Sequence, residues 1–135
     1  MIALDTNILV RYLLNDDEAQ AEIAEALLAS GKTCYIPITV WLELAWVLEC
    51  YDCQRQDIAK ALRHLLGLPN LQTGEPLALL RALNGFEGGA DFADALHVAL
   101  SVQVESFVTF DQTLVKRAKR LDMQPMVISA CPKSP

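Results

Sequence analysis

Short apolar runs alternate along the chain with longer stretches whose apolar residues recur at helical spacing. Strand-like runs are found in MIAL, TCYIP, SFVTF and MVIS, with a brief further candidate in LQT. Helical spacing is found in EAQAEIAEALLAS, which either Asp16 or Asp17 caps, and in TVWLELAWVLECY. Strands that alternate with helices of about ten residues indicate a parallel sheet flanked by helices. We therefore predict an α/β fold with a central, mainly parallel sheet of about four to five strands.

The second half of the chain continues the same alternation. The pattern predicts further helices in RQDIAKALRHLLGL, which ends at Gly67, in PLALLRALNGF, and in DFADALHVALSVQ after a Gly88 and Gly89 break. A last helix is predicted over residues 112–121, between the final two strands. With 135 residues, of which 53% are hydrophobic, the chain is long enough for one domain with a single sizeable core.

The apolar stretches are too short and too interrupted for a membrane protein. Glu43 and His97 break the two longest of them, and neither reaches the roughly 18 uninterrupted apolar residues of a membrane span. The start of the chain shows no basic segment followed by an apolar stretch and a cleavage site, so export is not indicated. We expect a cytoplasmic protein with no membrane partner, whose four cysteines stay reduced.

The charge balance changes the picture in two opposing ways. Seventeen acidic residues against eleven basic ones give a formal net charge of −6, which by itself argues against a nucleic-acid partner. If several of the acids hold cations, however, the rest of the surface is closer to neutral. One basic cluster, VKRAKR, is either a solvated helix face or a patch that contacts phosphates, and it contains Lys116, Arg117, Lys119 and Arg120.

Two of the acids follow strands. Asp5 comes directly after the first strand, and Asp111 comes after Thr109 at the end of the fourth. Either aspartate could simply cap the helix that follows it. Ligands of open α/β sheets, however, bind at the carboxyl ends of the strands, where both residues lie.

Glu43 lies within an apolar helix. Its neighbours three and four positions away are Thr39, Val40, Trp46 and Val47, so its carboxylate shares a largely apolar face. A buried carboxylate needs a cation or a proton, and no Lys or Arg occurs between residues 32 and 55. The pattern therefore predicts a metal ion or a distant cation for Glu43, unless the side chain lies on a rim of the helix that reaches solvent.

Two further acids lie at the start of the helix that follows Gly89. Asp91 and Asp94 are three residues apart, which makes them neighbours on a helix. Asp91 is either a cap or a ligand, since the macrodipole favours negative charge at this position. Asp94 precedes a run of apolar residues and is placed deeper. His97, one turn on, is treated as a hydrogen-bonded core residue outside the site.

These acids indicate a metal site if they converge. Two carboxylates about 4 Å apart repel by roughly 4 kcal/mol at an effective dielectric constant of 20, so a converging group needs cations or protons. An all-oxygen donor set suits Mg²⁺ or Mn²⁺. The CxxC pair of Cys50 and Cys53 is half of a possible zinc site without a second half, and zinc is therefore disfavoured.

Four motifs in this sequence match a known pattern, namely LDTNILVRYL, VWLELAWVL, FADALHVAL and VTFDQTL. They resemble those of PIN-domain ribonucleases, and because the chain is little more than this domain, it is most similar to VapC-type toxins of toxin–antitoxin pairs. The resemblance implies a Rossmann-like domain over residues 1–130, followed by a short tail at 131–135.

The resemblance also implies an activity. Members of the family are Mg²⁺- or Mn²⁺-dependent endoribonucleases, which usually form homodimers and are inhibited by a small antitoxin protein. Carried over motif by motif, the catalytic and metal-binding acids are Asp5, Glu43, Asp94 and Asp111, with Asp91 as a further metal ligand. Asn7 and Thr109 match polar positions that support the first and last acids.

Two alternatives from other classes remain open at this point. A Mg²⁺-dependent phosphotransfer protein would also use an aspartate at a strand end, but the common haloacid type needs a second Asp at the position of Asn7. A non-catalytic binding or regulatory module, in which the acids only hold structure, would show no stabilisation by Mn²⁺.

Overall fold

A computed structural model describes residues 1–131 of the chain. Within this range the chain forms seven helices and five strands. The helices are α1 (Thr6–Leu14), α2 (Glu18–Ala29), α3 (Ile38–Cys50), α4 (Arg55–Leu66), α5 (Pro76–Glu87), α6 (Phe92–Leu100) and α7 (Gln112–Arg120). The strands are β1 (Ile2–Ala3), β2 (Cys34–Ile36), β3 (Leu71–Thr73), β4 (Ser106–Thr109) and β5 (Met126–Ser129). Most of the tail predicted at 131–135 lies outside the described residues.

The α/β class with parallel strands is confirmed. Every strand pair in residues 1–131 is parallel, and the elements follow the predicted order. The strands fall into a three-stranded sheet, in the order β1-β2-β3, and a two-stranded sheet of β4 and β5. These sheets belong to two compact units, which begin at Met1 and Glu75 and are described separately below.

The first unit, Met1–Gly74, packs α1 to α4 around the three-stranded sheet. Its helix α3 buries Trp41 and Leu44 almost completely. Trp41 is also fixed by a polar contact, because its Nε1 donates a hydrogen bond of 3.0 Å to Oγ1 of Thr73. The Thr73 hydroxyl in turn donates to the carbonyl of Ile36, at 3.0 Å, which ties β3 to the end of β2. The carboxyl ends of β2 and β3 are therefore held together by side chains as well as by the sheet.

The second unit, which begins at Glu75, contains α5 to α7 and the two-stranded sheet. Helices α5 and α6 pack closely, since a Cβ atom on Gly85 would lie only 3.2 Å from the Cβ of Ala95. Phe86 and Phe92 add an edge-to-face ring pair with centroids 5.8 Å apart. A separate apolar cluster joins α6, α7 and β5 through Val98, Leu114, Ala118 and Val127. These contacts fix the starts of α6 and α7, where three of the candidate acids lie.

Helix α6 is shorter than its apolar pattern predicts. It ends at Leu100, whereas the pattern extends to Gln103. The hydroxyl of Ser101 donates to the carbonyl of His97, at 2.9 Å, and thereby satisfies a carbonyl of the last turn. None of the helices in residues 1–131 is long and apolar enough to cross a membrane.

Candidate metal and nucleic-acid site

Asp5 stands at the start of α1, just beyond β1. Its backbone is extended, with φ −83° and ψ 161°, and its Oδ1 accepts a hydrogen bond of 2.7 Å from the backbone N–H of Thr6. One carboxylate oxygen of Asp5 therefore acts as a helix cap, as the alternative interpretation predicted. Asp5 is exposed, as is Asn7 in the first turn of the helix, so a ligand can reach both side chains from solvent.

Thr6 differs from its two polar neighbours. It is only 4% exposed, and its Oγ1 has no hydrogen-bond partner among residues 1–131. A buried hydroxyl without a partner carries a free-energy cost of about 1–3 kcal/mol. The DTN segment therefore combines two exposed polar side chains with a buried one, a difference that residue type alone does not predict.

Glu43 lies on the exposed side of α3, and the argument from its burial is wrong. The buried side of this helix is formed by Trp41, Leu44, Ala45 and Leu48, whereas Glu43 is exposed. Its neighbours Thr39 and Trp46 are exposed too, with 65% of Trp46 accessible. The alternative of a carboxylate that reaches solvent is therefore correct. Glu43 remains a candidate ligand because it is accessible, and not because it needs a cation.

The start of α6 positions Asp91 and Asp94. Asp91 is the N-cap residue, and its Oδ2 accepts a hydrogen bond of 3.1 Å from the backbone N–H of Asp94. Asp94 lies in the first turn and is partly buried. Both side chains therefore lie at the N-terminus of α6.

The start of α7 repeats this arrangement. Asp111 caps the helix, with its Oδ1 accepting a hydrogen bond of 3.1 Å from the N–H of Leu114. The Oγ1 of Thr109 accepts one of 3.0 Å from the N–H of Asp111, so the threonine fixes the backbone that carries this carboxylate. In residues 1–131, the second oxygen of Asp111 and that of Asp91 accept no hydrogen bond, which leaves them available to a cation.

The acids of the second unit interact electrostatically. Partial burial raises the pKa of Asp94 above its usual value, and the charges of Asp91 and Asp111 raise it further. His97 and Arg117 act in the opposite direction and lower it. Asp91 and Asp111 therefore both lie within electrostatic range of Asp94. The interpretation of His97 as a core residue is wrong, because this residue is exposed.

The basic residues of α7 do not form one uniform solvated face. Lys116 and Lys119 are exposed, whereas Arg117 is half-buried and near enough to Asp94 to affect its pKa. The Nη2 of Arg120 donates a hydrogen bond of 3.0 Å to the carbonyl of Gly88, in the turn that leads to α6. This contact between α7 and the glycine turn was not predicted. The adjacent glycines were its only signal in the sequence.

The donor chemistry fits a hard divalent cation. All candidate ligands are carboxylate oxygens, which Mg²⁺ and Mn²⁺ prefer. Among residues 1–131, no three or more His, Cys, Asp or Glu side chains are grouped closely enough to hold a metal ion. Mg²⁺ is commonly bound by only one or two carboxylates and keeps several waters, so such a group is not required. Asp5 and Glu43 belong to the first unit and the other acids to the second.

Comparison with protein families gives a match over most of the chain. A family model described as the PIN domain matches residues 2–120, from β1 to the end of α7. The match includes every candidate acid. No curated protein matches the chain.

Proposed function

Because the chain belongs to the PIN-domain family, we propose that it is an endoribonuclease that hydrolyses RNA phosphodiester bonds with Mg²⁺ or Mn²⁺. PIN domains are generally nucleases, and typically use divalent metal ions. The observation that best supports the proposal is that the starts of α6 and α7 bring Asp91 and Asp111 near the partly buried Asp94, whose pKa is raised by its burial and by their two charges. Neither a structural role nor phosphotransfer requires two further acids within electrostatic range of Asp94.

The acids have distinct roles in this proposal. Asp5 and Asp94 would bind the ion directly, while Glu43 and Asp111 would complete its shell, partly through water. Asp91 is an additional ligand that also caps α6. Asn7 and Thr109 support the first and last acids, the latter through the hydrogen bond to the backbone of Asp111.

The cation would supply the charge that stabilises the transition state, and would lower the pKa of an attacking water. The protein's own contribution is to hold its carboxylates in place. The starts of α1, α6 and α7 do this for Asp5, Asp91 and Asp111, because each of these carboxylates accepts a hydrogen bond from a backbone N–H of its helix. No side-chain nucleophile is proposed, since hydrolysis with an activated water needs none.

The pure protein should cut RNA only when a suitable cation is present. Incubated with total cellular RNA, it should create new RNA ends with Mn²⁺ or Mg²⁺ and none with a chelator, because carboxylates alone cannot neutralise the charge of the transition state. Sequencing of the new ends measures this and shows whether cleavage is confined to particular sites. New ends formed equally well with the chelator would contradict the role of the metal, and their absence under all conditions would contradict the nuclease.

We propose further that this nuclease is the toxin of a type II toxin–antitoxin pair, on the strength of its resemblance to VapC-type toxins. Its partners would then be an RNA substrate, a small antitoxin protein and a second copy of the chain. The first unit exposes large apolar side chains that such contacts could cover, among them Ile23, 66% exposed, and Trp46, 65% exposed.

The oligomeric state tests this finer proposal. Light scattering of the purified chain should give the mass of a dimer. The Trp46→Ser variant should keep the secondary structure of the parent, since most of the Trp46 side chain is already in water. A monomer at all concentrations would remove the homodimer from the proposal. If expression of the active chain does not slow bacterial growth, the toxin role is wrong.

A further inference from the structure

Two arginines of α7 border the glycine turn that precedes α6. A Cβ atom on Gly89 would lie 3.6 Å from the Nη2 of Arg120 and 4.0 Å from the Nε of Arg117. Both guanidinium groups therefore approach the same point beside Gly89. The two arginines are three residues apart, and so they lie on the same side of α7.

The two glycines of the turn leave space for these arginine side chains. Gly89 has φ +111°, a conformation that side-chain-bearing residues rarely adopt, and a Cβ would fill part of the space beside the two guanidinium groups. Gly88 is equally constrained, because its Cβ would lie 2.6 Å from the Cδ2 of Leu121. The two glycines thus allow the end of α7 to pack directly against this turn.

Neither guanidinium group forms an ion pair within residues 1–131. One N–H group of Arg120 donates a hydrogen bond to the carbonyl of Gly88. The guanidinium group of Arg117 has no hydrogen bond and no ion pair within residues 1–131, although its charge reaches Asp94. A guanidinium has five N–H donors in a planar fork, which suits the oxygens of a phosphate group. Two such groups held near one point repel each other unless an anion lies between them.

The backbone of the turn cannot take this role. The N–H groups of Gly88, Gly89 and Ala90 donate to the carbonyls of residues 84, 86 and 85, respectively. All three amides are therefore satisfied by the end of α5. An anion at this turn must be bound by the arginine side chains.

We propose that Arg117 and Arg120, beside Gly89, form a binding site for a backbone phosphate of the nucleic-acid substrate, a proposal that rests on the proposed function. The site lies next to Asp94, so a strand held there passes the acids at the start of α6. It explains how a chain with a net charge of −6 binds a polyanion, because the contact is local. The proposal also distinguishes between the basic residues of α7, because it assigns phosphate binding to the two arginines and not to Lys116 and Lys119.

Arg117→Gln tests the site, with Arg81→Gln as its matched control. Arg81 is an exposed arginine of the same unit, on α5, and its replacement changes the net charge equally. Binding of a fluorescent single-stranded RNA is measured by anisotropy in EDTA at several salt concentrations. Arg117→Gln should weaken binding about tenfold or more, as expected for loss of a charge-assisted hydrogen bond. It should also lower the salt slope by about 0.7, and Arg81→Gln should change neither quantity.

Other outcomes overturn the assignment. The site is wrong if the parent does not bind RNA, if Arg117→Gln binds like the parent, or if Lys116→Gln weakens binding as much as Arg117→Gln. If Arg117→Gln does not fold, Arg117→Lys takes its place: it keeps the charge but loses the planar fork, so it should keep the salt slope and still lose affinity. Unchanged affinity in this variant would also overturn the site.

The design separates this proposal from the nuclease activity. Binding is measured without metal and therefore without hydrolysis. If Arg117→Gln weakens RNA binding but the parent protein never cuts RNA, the phosphate site is supported and the nuclease activity is contradicted. If the parent protein cuts RNA but Arg117→Gln binds RNA like the parent, the nuclease activity is supported and the phosphate site is contradicted.

Discussion

Replacement of Asp94 by Asn should abolish RNA cleavage while the protein remains folded. Asp94 is the partly buried acid whose pKa is raised by burial and by the charges of Asp91 and Asp111. Asparagine keeps the shape of the side chain but loses the charge that binds a cation. The loss should exceed the roughly 10–100-fold effect of removing an outer-shell partner of a metal. The rate of cleavage of a labelled RNA in Mn²⁺ measures it.

The same variant should not be destabilised when metal is absent. Because the pKa of Asp94 is raised in the folded state, ionisation of this group is less favourable there than in the unfolded chain. At neutral pH the ionised carboxylate therefore lowers the free energy of unfolding, and Asn removes this effect. The metal-free variant should be at least as stable as the parent at pH 7. Any advantage should shrink as the pH falls through the raised pKa, since the parent then becomes protonated.

Asp122→Asn is the control for both effects. Asp122 belongs to the same unit, is exposed, and has φ 53°, a left-handed conformation that Asn adopts readily. The substitution changes the charge equally, outside the group of acids. It should leave cleavage near the parental rate. An Asp94→Asn protein that cuts RNA as fast as the parent would refute the site. Such a result would indicate that Asp94 has only a structural role at the start of α6, where Asn is tolerated nearly as well as Asp.

Much of the fold could be predicted because its boundaries are marked by local chemistry. Asp17 caps α2, and Gly67 follows α4, both as the sequence indicates. Strands β1 and β4 each end shortly before an aspartate that begins a helix, Asp5 and Asp111. These signals depend on a few neighbouring residues, and so a single sequence contains them.

The error at Glu43 shows where local patterns fail. Spacing along a helix identifies the residues that share a side, and Glu43 does share one with Trp46. It does not identify which side is buried when apolar residues surround the helix, as they do in α3. Burial is decided by the elements that pack against it, and these selected the side of Trp41 and Leu44.

The position of Arg117 and Arg120 beside the glycine turn could not be predicted for a related reason. Arg120 contacts Gly88, a residue 32 positions earlier, and no periodicity links them. The sequence showed a basic cluster and a pair of glycines as separate features. Only the packing of α7 on the turn shows that two of the four basic residues lie beside it, close to Asp94.

Metal binding by the acids should be strong enough to detect directly. In metal-free protein, partial burial and the charges of Asp91 and Asp111 disfavour the ionised form of Asp94, as its raised pKa indicates. A divalent cation reverses this effect, because it favours the ionised form of each ligand. Mn²⁺ should therefore bind the folded protein at neutral pH, and Mg²⁺, which prefers the same oxygen ligands, should compete with it.

Titration of the metal-free protein with Mn²⁺, followed by the electron paramagnetic resonance signal of the free ion, tests this central claim most directly. The account predicts that the parent and Asp122→Asn remove Mn²⁺ from solution with equal affinity, that Mg²⁺ releases it, and that Asp94→Asn binds it at least about tenfold more weakly. A parent protein that leaves the free Mn²⁺ signal unchanged, or an Asp94→Asn variant that binds as tightly as the parent, would contradict the account.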